Sequence, residues 1–367
     1  MEGRGPSCLN VDKDALAGHE KPGFKLCSYV DSFSETHAGR IPIVKSGLGK
    51  EDLFSTVYVR WGIRRHDYKV VPGLYGIGHP DRASEVLVTA NFKLTFDHLR
   101  RALPHISAWI LVLDTKGINV WCAAGKGTFS TRELVKRIEA CSLEKIVDHK
   151  RVIVPQLGAT GVSAADVKKQ SGFRVVYGPI RAKDIPAFLK NNRTADKPMR
   201  QVTFTLYERF VLTPVELKNA LKPAFIAALV LFVVSGVGPG GFSFSGAWER
   251  GLLAVLALVT GIFSGGFVTP VLLPYIPFRE FAAKGIIAGS VFAILLMVAI
   301  SSAINGMAGF GALFLFSMAI SSFLAMNFTG TTPFTSPSGV EKEMKRFIPV
   351  QVVALAVSSG LWIYSAF

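Results

Sequence analysis

The sequence predicts a two-part protein, with an α/β domain in its first half and an all-α bundle of five transmembrane helices in its second half. The chain has 367 residues, half of them hydrophobic, and a mean hydropathy of +0.37, which is high for a soluble protein. The apolar residues are concentrated after Pro223, whereas the first half alternates short strand-like and helix-like segments. Such alternation is typical of a parallel sheet with helices on both faces.

Five long apolar runs make up the second half. Each is about long enough to cross a hydrocarbon core of ~30 Å as a helix. Gly and Ser recur inside them, as close helix packing in lipid favours. The alternative, a buried helical core of a soluble domain, is disfavoured because the runs have no polar face to turn outward. We expect the spans near 223–239, 250–268, 285–304, 307–326 and 348–366.

The distribution of basic residues predicts the orientation of these spans. Lys and Arg are concentrated before the first span and recur in the loops after the second and fourth spans. We therefore expect a multi-pass protein of the cell's inner (cytoplasmic) membrane, with the N-terminal domain in the cytoplasm and the C-terminus outside. We find no ionisable residue deep inside any span, which favours anchoring over ion transport.

The net charge of +15 resides almost entirely in the first half. Only six of the 41 basic and four of the 26 acidic residues follow Lys222, which leaves 35 and 22, a net +13, before it. Such a domain would be attracted to an anionic leaflet, an acidic partner or an anionic cofactor. Nucleic acid is not expected as a partner, because no helix-turn-helix, zinc or RNP pattern occurs.

The first half divides into an N-terminal arm at 1–55, an α/β domain at 56–200 and a linker at 201–222, ahead of the transmembrane domain at 223–367. Within the α/β domain, "GLYGIGHP" (73–80) is predicted to be a turn-rich connection. Helices are expected in "FDHLRRAL", "TRELVKRIEACS", "SAADVKKQSG" and "AKDIPAFLK". Strands are expected in "TVYVRWGI" (56–63), "EVLVTA" (85–90), "WILVLDT" (109–115), "RVIVPQLGA" (151–159) and "RVVYGPI" (174–180).

Cys122 lies in "GINVWCAAGKGTFST" (117–131), directly after the strand at 109–115. Ligands of parallel sheets bind at the carboxyl ends of the strands. If 118–126 is a helix, then Asn119, Cys122, Ala123 and Lys126 share one face, and the small residues 123–125 leave the sulfur accessible to a broad, flat ligand. The helix dipole and Lys126 would favour the thiolate, which suits metal ligation or nucleophilic attack. Spacing alone leaves open a structural cysteine packed between helix and sheet.

Several segments together resemble one known family. "DTKGINVWCAAGKGTF" (114–129) closely resembles the cap-helix motif of the mercury-methylation corrinoid proteins, the HgcA family. The large subunit of the corrinoid iron–sulfur protein of acetyl-CoA synthesis has a similar stretch. "YKVVPGLYGIGHP", "VLVTANFKLTFDHLR" and "VPQLGATGV" look like the corrinoid domain of the same family. The resemblance covers about residues 56–185, and the five-span half resembles the HgcA family specifically, because the iron–sulfur relative is soluble.

This resemblance implies an α/β Rossmann-like corrinoid-binding domain followed by an all-α transmembrane domain of five helices. It implies a membrane-anchored methyltransferase that passes a methyl group from methylcobalamin to Hg(II), giving methylmercury. Cys122 would be the catalytic residue and the lower axial ligand of the cobalt of cobalamin. The implied cofactor-binding residues are Thr115, Asn119, Val120, Trp121, Cys122, Ala123, Ala124, Gly125 and Lys126, with Gln156, Gly158 and Gly161 at the nucleotide tail. Trp121 could instead pack the helix down, and Asn119 and Lys126 could serve as caps or solvated residues.

Two departures from the soluble relative bear on the expected partners. That protein carries a cysteine-rich cluster motif, which Cys8 and Cys27 cannot supply, so we expect electrons from a separate ferredoxin-like iron–sulfur protein, HgcB. The sequence also lacks the Asp-x-His-x-x-Gly motif of histidine-ligated cobalamin. The expected methyl source is a methyltetrahydrofolate-linked methyltransferase.

Two other functions remain open on the sequence. One is a corrinoid methyl carrier for another acceptor in one-carbon or acetyl-CoA metabolism. The other is a transporter or receptor with a cytosolic cobalamin or nucleotide sensor, against which the lack of intramembrane charge counts.

Overall fold

The computed structural model describes residues 27–304, 306–332, 335 and 337–367, and these fall into two compact units. The first comprises the described residues up to Val59 together with Ile63–Val202, and the second comprises Arg60–Gly62 and Thr203–Phe367. Residues 1–26 of the predicted N-terminal arm lie outside the described residues.

The first unit is built on one mixed sheet. Its strands are β1 Val30–Thr36, β2 Gly39–Val44, β3 Gly73–Ile77, β4 Val86–Ala90, β5 Ala108–Leu113, β6 Arg151–Pro155 and β7 Arg174–Gly178. They are arranged in the order β1-β2-β3-β5-β4-β6-β7. Strands β5, β4, β6 and β7 are parallel to one another, which confirms the α/β class. Strand β3 is antiparallel to β5, so the sheet as a whole is mixed.

Six α-helices accompany these strands: α1 Lys50–Arg60, α2 Lys93–Arg101, α3 Val120–Gly125, α4 Thr131–Ala140, α5 Ala164–Ser171 and α6 Ile185–Lys190. The helices expected from the sequence are confirmed. Helix α5, for example, begins at Ser163, whose Oγ accepts a hydrogen bond from Asp166 N at 3.3 Å. It ends at Gly172 with φ +76°, a conformation that favours glycine.

The core lies on both faces of the sheet. In β5, Trp109, Leu111 and Leu113 belong to one hydrophobic cluster, whereas Ala108, Ile110 and Val112 belong to the other. Side chains alternate between the faces of a strand, so a strand covered on both sides must be apolar at every position. This explains the continuous apolar run that the sequence shows there.

Two segments differ from the prediction. "TVYVRWGI" was expected to be a strand, but residues up to Arg60 belong to α1, because its two buried residues, Asp52 and Val59, are seven positions apart and so lie on one face of a helix. "GLYGIGHP" was expected to be a connection, but Gly73–Ile77 is β3. A Cβ at Gly76 would lie 2.4 Å from Ile43 Cδ1, so glycine serves here to bring strands close together rather than to form a turn.

A cluster of four buried charged side chains joins α1 to α2. Lys93 Nζ lies 2.6 Å from Asp52 Oδ1 and 2.7 Å from Asp97 Oδ2. Arg100 pairs with the same two carboxylates, through Nη2 at 2.6 Å and Nε at 2.8 Å. Arg100 Nη1 also donates to the carbonyl oxygens of Lys45 and Gly47. Two cations therefore neutralise two anions. Buried charges are tolerated when they are closely paired and hydrogen-bonded, and these four side chains meet that condition.

The second unit contains five helical segments that are long and apolar enough to cross a membrane, which confirms the five expected spans. Its elements are α7 Leu206–Phe210, α8 Thr213–Ser235, the hairpin β8 Val237–Gly238 and β9 Gly241–Phe242, α9 Phe244–Phe263, α10 Thr269–Val271, α11 Phe281–Ala299, α12 Gly306–Phe328 and α13 Pro337–Tyr364. A π-helical turn, Ser264–Val268, joins α9 to α10. Helix α8 begins ten residues before Pro223 and continues through it, so helix also occupies the end of the segment expected to be a linker.

Small residues bring the bundle helices together. A Cβ at Gly265 or Gly285 would lie 2.3 Å or 2.6 Å from Ser321 O of α12. Ser321 Oγ donates to Gly285 O at 2.7 Å, and Ser317 Oγ donates to Ala257 O at 2.9 Å. Close backbone approach and hydroxyl hydrogen bonds replace the hydrophobic effect, which does not hold helices together in lipid.

We expect Asp97→Asn to destabilise the first unit by about 3–5 kcal/mol, because it leaves Lys93 and Arg100 buried with a single remaining carboxylate. Thermal unfolding of the full chain in detergent, with hydrogen exchange of the α2 amides, measures the loss. The control is Asp148→Asn, which removes an exposed ion pair with Arg82 and should change little. Equal effects of the two variants would contradict a structural role for the buried cluster.

The stability of the same region should fall in acid. Burial opposes ionisation of Asp52, but Lys93 and Arg100 outweigh this effect and hold its pKa below the ordinary value of about 3.8. The stabilisation is therefore present above pH ~4 and is lost as the pH falls through the folded-state pKa. Asp52→Asn should flatten this acid limb in a pH series of thermal unfolding; an unchanged limb would assign the acid sensitivity to other groups.

Candidate functional site

The candidate site lies at the carboxyl ends of β4, β5 and β6, where the sequence predicts it. Asn91 directly follows β4 and is 3 % exposed. Its Oδ1 accepts hydrogen bonds from Thr115 N at 3.1 Å and from Gly117 N at 2.9 Å, and it lies 2.8 Å from Thr115 Oγ1. Thr115 Oγ1 also lies 2.7 Å from Ile118 O. One buried amide thus holds the loop that connects β5 to α3.

Helix α3 presents Cys122 to the surface. Asn119 is the N-cap, and its Oδ1 accepts a hydrogen bond from Cys122 N at 2.9 Å. Cys122 is an exposed free thiol, which does not fit the alternative of a cysteine packed between helix and sheet. The two cap positions of the helix are the expected ones: Asn119 at its start and the exposed Lys126 at its end. The first turn of the helix thereby holds the sulfur outward.

The inner side of α3 packs against small residues. Ala123 and Ala124 are buried, and Phe129 N lies 3.1 Å from Ala123 O. A Cβ at Gly161 would lie 2.0 Å from Phe129 O and 3.1 Å from Ala124 Cα, and one at Gly158 would lie 2.4 Å from the Phe129 ring. Both glycines therefore allow the segment after β6 to approach α3, rather than leaving open space themselves.

A mostly apolar cavity of about 340 Å³ adjoins the start of α3. Its walls come from β4, β6, the α3 N-terminus and the segment after β7, and they include Val88, Thr89, Val120, Leu157 and Pro179. Asn119 and Trp121 also line it, and Trp121 is 43 % exposed. Apolar cavities with a few polar groups are typical binding sites for cofactors and other small molecules.

The structure brings the expected residues together to different degrees. Asn119, Val120 and Trp121 reach the cavity, whereas Thr115 is buried within the Asn91 network. Gln156 follows β6 directly, and its Oε1 is buried without a hydrogen-bond partner. Such an acceptor is costly unless a donor reaches it.

Two residues of the candidate site, Asn91 and Arg65, were not predicted from the sequence. Asn91 could have been found as a polar residue directly after a buried strand. Arg65, the second, comes from the loop after α1; burial lowers its pKa, and the Cys122 sulfur opposes that shift. The guanidinium carbon of Arg65 lies over the Phe92 ring, 5.3 Å from its centroid. No local signal marks Arg65, because its proximity to Cys122 is created by the fold.

A metal ion bound at this site would need most of its ligands from elsewhere. Across residues 27–304, 306–332, 335 and 337–367, no three His, Cys, Asp or Glu side chains are grouped so that they could hold a metal ion. Cys122 can offer one sulfur.

The comparisons with known proteins concern this domain. Residues 44–189 match the family model of the CO dehydrogenase/acetyl-CoA synthase delta subunit. The gamma subunit of the acetyl-CoA decarbonylase/synthase complex of Methanopyrus kandleri is 35% identical over 128 residues, 34% of this chain and 27% of that protein. The corresponding subunit of Archaeoglobus fulgidus is 29% identical over 173 residues, 44% of this chain and 36% of that protein.

The large subunit of the corrinoid/iron–sulfur protein of Moorella thermoacetica is 30% identical over 126 residues, 34% of this chain and 28% of that protein. The chain thus spans only about a quarter to a third of the length of these relatives. The matched residues nevertheless contain strands β3 to β7, α3 and Cys122. The α/β domain of this chain is therefore similar to the corrinoid/iron–sulfur protein large subunit and to the gamma subunits of acetyl-CoA decarbonylase/synthase complexes.

Proposed function

We propose that this chain is a membrane-anchored corrinoid methyltransferase that passes a methyl group from methylcobalamin to Hg(II), giving methylmercury. The observation that carries the proposal is the exposed thiol of Cys122, held outward by the Asn119 cap beside an apolar cavity. The similarity of the α/β domain to the corrinoid/iron–sulfur protein large subunit supports a corrinoid cofactor.

The residues at the site fit a corrinoid. Cys122, Gly125 and Lys126 are exposed on the outer side of α3, where Gly125 adds no bulk beside the sulfur. Ala123 is buried on the inner side, so the expectation that it shares a face with Cys122 was wrong, and neither Ala123 nor Ala124 is accessible to a ring. A Cβ at Gly125 would meet no atom within 4 Å, which shows open space on that side of the helix. The unpaired Oε1 of Gln156 is an acceptor for an amide donor, and corrin rings carry such amides at their edges. The apolar cavity beside Asn119 suits the nucleotide tail.

Cys122 would hold the cobalt of the corrinoid through its sulfur. A thiolate is an anionic donor that raises electron density on the metal. The chemistry that the corrinoid supplies when bound is a methyl group on cobalt, which Hg(II) accepts together with the bonding electron pair. Asn119 keeps the first turn of α3 in place, Asn91 holds the loop before it, and Arg65 adds positive charge near the sulfur.

The partners follow from what the chain does not itself supply. Return of the cofactor to its low-valent state needs electrons, which we assign to a ferredoxin-like iron–sulfur protein such as HgcB. The methyl group would come from a methyltetrahydrofolate-linked donor system. The five apolar helices anchor the domain in the membrane, with the N-terminal domain on the cytoplasmic side.

A second candidate is a corrinoid methyl carrier for another acceptor. The names of the relatives favour it, since the proteins of Methanopyrus kandleri and Archaeoglobus fulgidus are subunits of an acetyl-CoA decarbonylase/synthase complex. Both candidates use Cys122 and cobalamin. Incubation of the methylated protein with Hg(II) or with an acetyl-CoA synthase separates them by the product that forms.

We expect Cys122→Ala to abolish methylmercury formation, because alanine cannot bind cobalt. Cys122→Thr should behave likewise. The absorbance spectrum of the reconstituted protein should also lose the features of a sulfur ligand in both variants, while the protein remains folded, because residue 122 is exposed. Methylmercury is measured in cells that express each variant, and the spectrum is measured on purified protein.

Cys141→Ala is the matched control. Cys141 is half-buried, and burial raises the pKa of its thiol, so it is a poor ligand. This variant should keep activity near that of the wild type. Full activity of Cys122→Ala, or complete loss in Cys141→Ala, would show that the wrong thiol has been assigned.

Substitutions at two glycines separate an effect on the stability of the site from an effect on cobalamin binding. Gly125→Leu should leave thermal unfolding nearly unchanged, because the space beside residue 125 is open, but should weaken cobalamin binding about tenfold or more by filling that space. Gly161→Ala should destabilise the domain by about 1–3 kcal/mol, because its Cβ would clash with Phe129 O. Cobalamin titration by absorbance and thermal unfolding give the two readouts. Unweakened binding by Gly125→Leu would place the ring elsewhere.

A further inference from the structure

In helix α1, the carboxylate of Asp52 faces the interior of the domain, whereas four large apolar side chains face outward. Its buried residues are Asp52 and Val59, and Asp52 is fixed by Lys93 and Arg100. Leu53, Phe54, Val57 and Tyr58 are 52–67 % exposed. At about 100° per residue, these four side chains and Trp61 cover a continuous arc of about 140° on the side away from Asp52. We call this arc the outer face of α1.

The outer face has the composition of a membrane-surface helix. Residues 50–65 carry four cationic side chains and two anionic ones, and one of the anions is the internally paired Asp52. Lys50 and Arg64 are exposed at the two ends of the segment. Trp61, at 47 % exposure, and Tyr58 are residue types that concentrate at membrane–water interfaces. Apolar and aromatic side chains flanked by cations favour an anionic lipid surface.

The residues directly after α1 contact an apolar helix of the second unit, to which they themselves belong. Arg60–Gly62 belong to the second unit, and Gly62 O accepts a hydrogen bond from Lys218 Nζ at 2.9 Å. Lys218 lies in α8, within the first apolar span, at the end where Lys222 also lies. Lysines at the ends of spans extend to the lipid headgroups. Trp61 is therefore held next to a residue that marks headgroup level.

We propose that the outer face of α1, together with Trp61, lies in the headgroup region of an anionic membrane leaflet. This proposal rests on the membrane anchoring of the second unit. It assigns a role to an apolar surface that would otherwise be exposed to water, and exposed patches of this kind mark interaction sites. The buried Asp52 cluster sets the rotation of α1 that makes this surface available.

The test places a photocrosslinker on the outer face. The full chain, with p-benzoylphenylalanine in place of Phe54 or Val57, is reconstituted in nanodiscs of phosphatidylcholine with or without phosphatidylglycerol. Irradiation followed by mass spectrometry identifies what is attached. We expect phospholipid adducts at both positions, with a higher yield when phosphatidylglycerol is present. Lys50→Gln with Arg64→Gln should lower this yield about twofold or more in anionic nanodiscs only.

Two control positions make the outcome decisive. Lys169 is exposed on α5 and should give no lipid adduct, whereas Val230, 55 % exposed in the first span, should give one. A lipid adduct at 230 without one at 54 and 57 would overturn the docking proposal and leave the anchoring intact. Adducts at 54 to residues 1–26 or to a second copy would overturn it as well. Absence of an adduct at 230 would overturn the anchoring itself.

Discussion

The site depends on one buried amide. Asn91 Oδ1 accepts hydrogen bonds from two backbone amides of the loop that follows β5, and this loop delivers Asn119, the N-cap of α3. The cap in turn accepts from Cys122 N. Without Asn91, the half-buried amide of Gly117 would lose this partner, at a cost of about 1–3 kcal/mol, and Thr115 N would keep only Leu113 O. A side chain at the end of one strand thus positions a thiol presented by the next.

A second constraint determines which side chains of α1 are exposed on the outside of the domain. The carboxylate of Asp52 bridges Lys93 and Arg100 in the interior, so α1 turns its charged residue inward and four large apolar residues outward. Hydrophobic burial alone would favour the opposite rotation. The ion pairs outweigh it because an uncompensated buried Lys93 and Arg100 would cost more than exposing those side chains to water or lipid. The interior electrostatics of the domain and its proposed contact with the leaflet are therefore linked.

The sequence predicted correctly those strands and helices whose local residue pattern agrees with the way they pack in the fold. The continuous apolar run of β5 and the serine-capped α5 are examples, because a strand buried on both faces and a capped amphipathic helix each leave a local pattern. The pattern failed in α1 and β3, where alternating valines formed a helix and a glycine-rich segment formed a strand. In both, a contact with a distant segment decided the outcome: Lys93 for α1 and Ile43 for β3.

The sequence by itself determined the two-part architecture and the five apolar spans, because hydrophobic periodicity acts over a few neighbours along the chain. The exposure of Cys122 was left open by its spacing and is decided by the fold. Only the tertiary structure decided that Asn91 holds the loop before α3, that Arg65 lies near Cys122, and that Gly161 lies against Phe129. These contacts join residues that are tens of positions apart, and their partners are chosen by the geometry of the sheet, which no local pattern records.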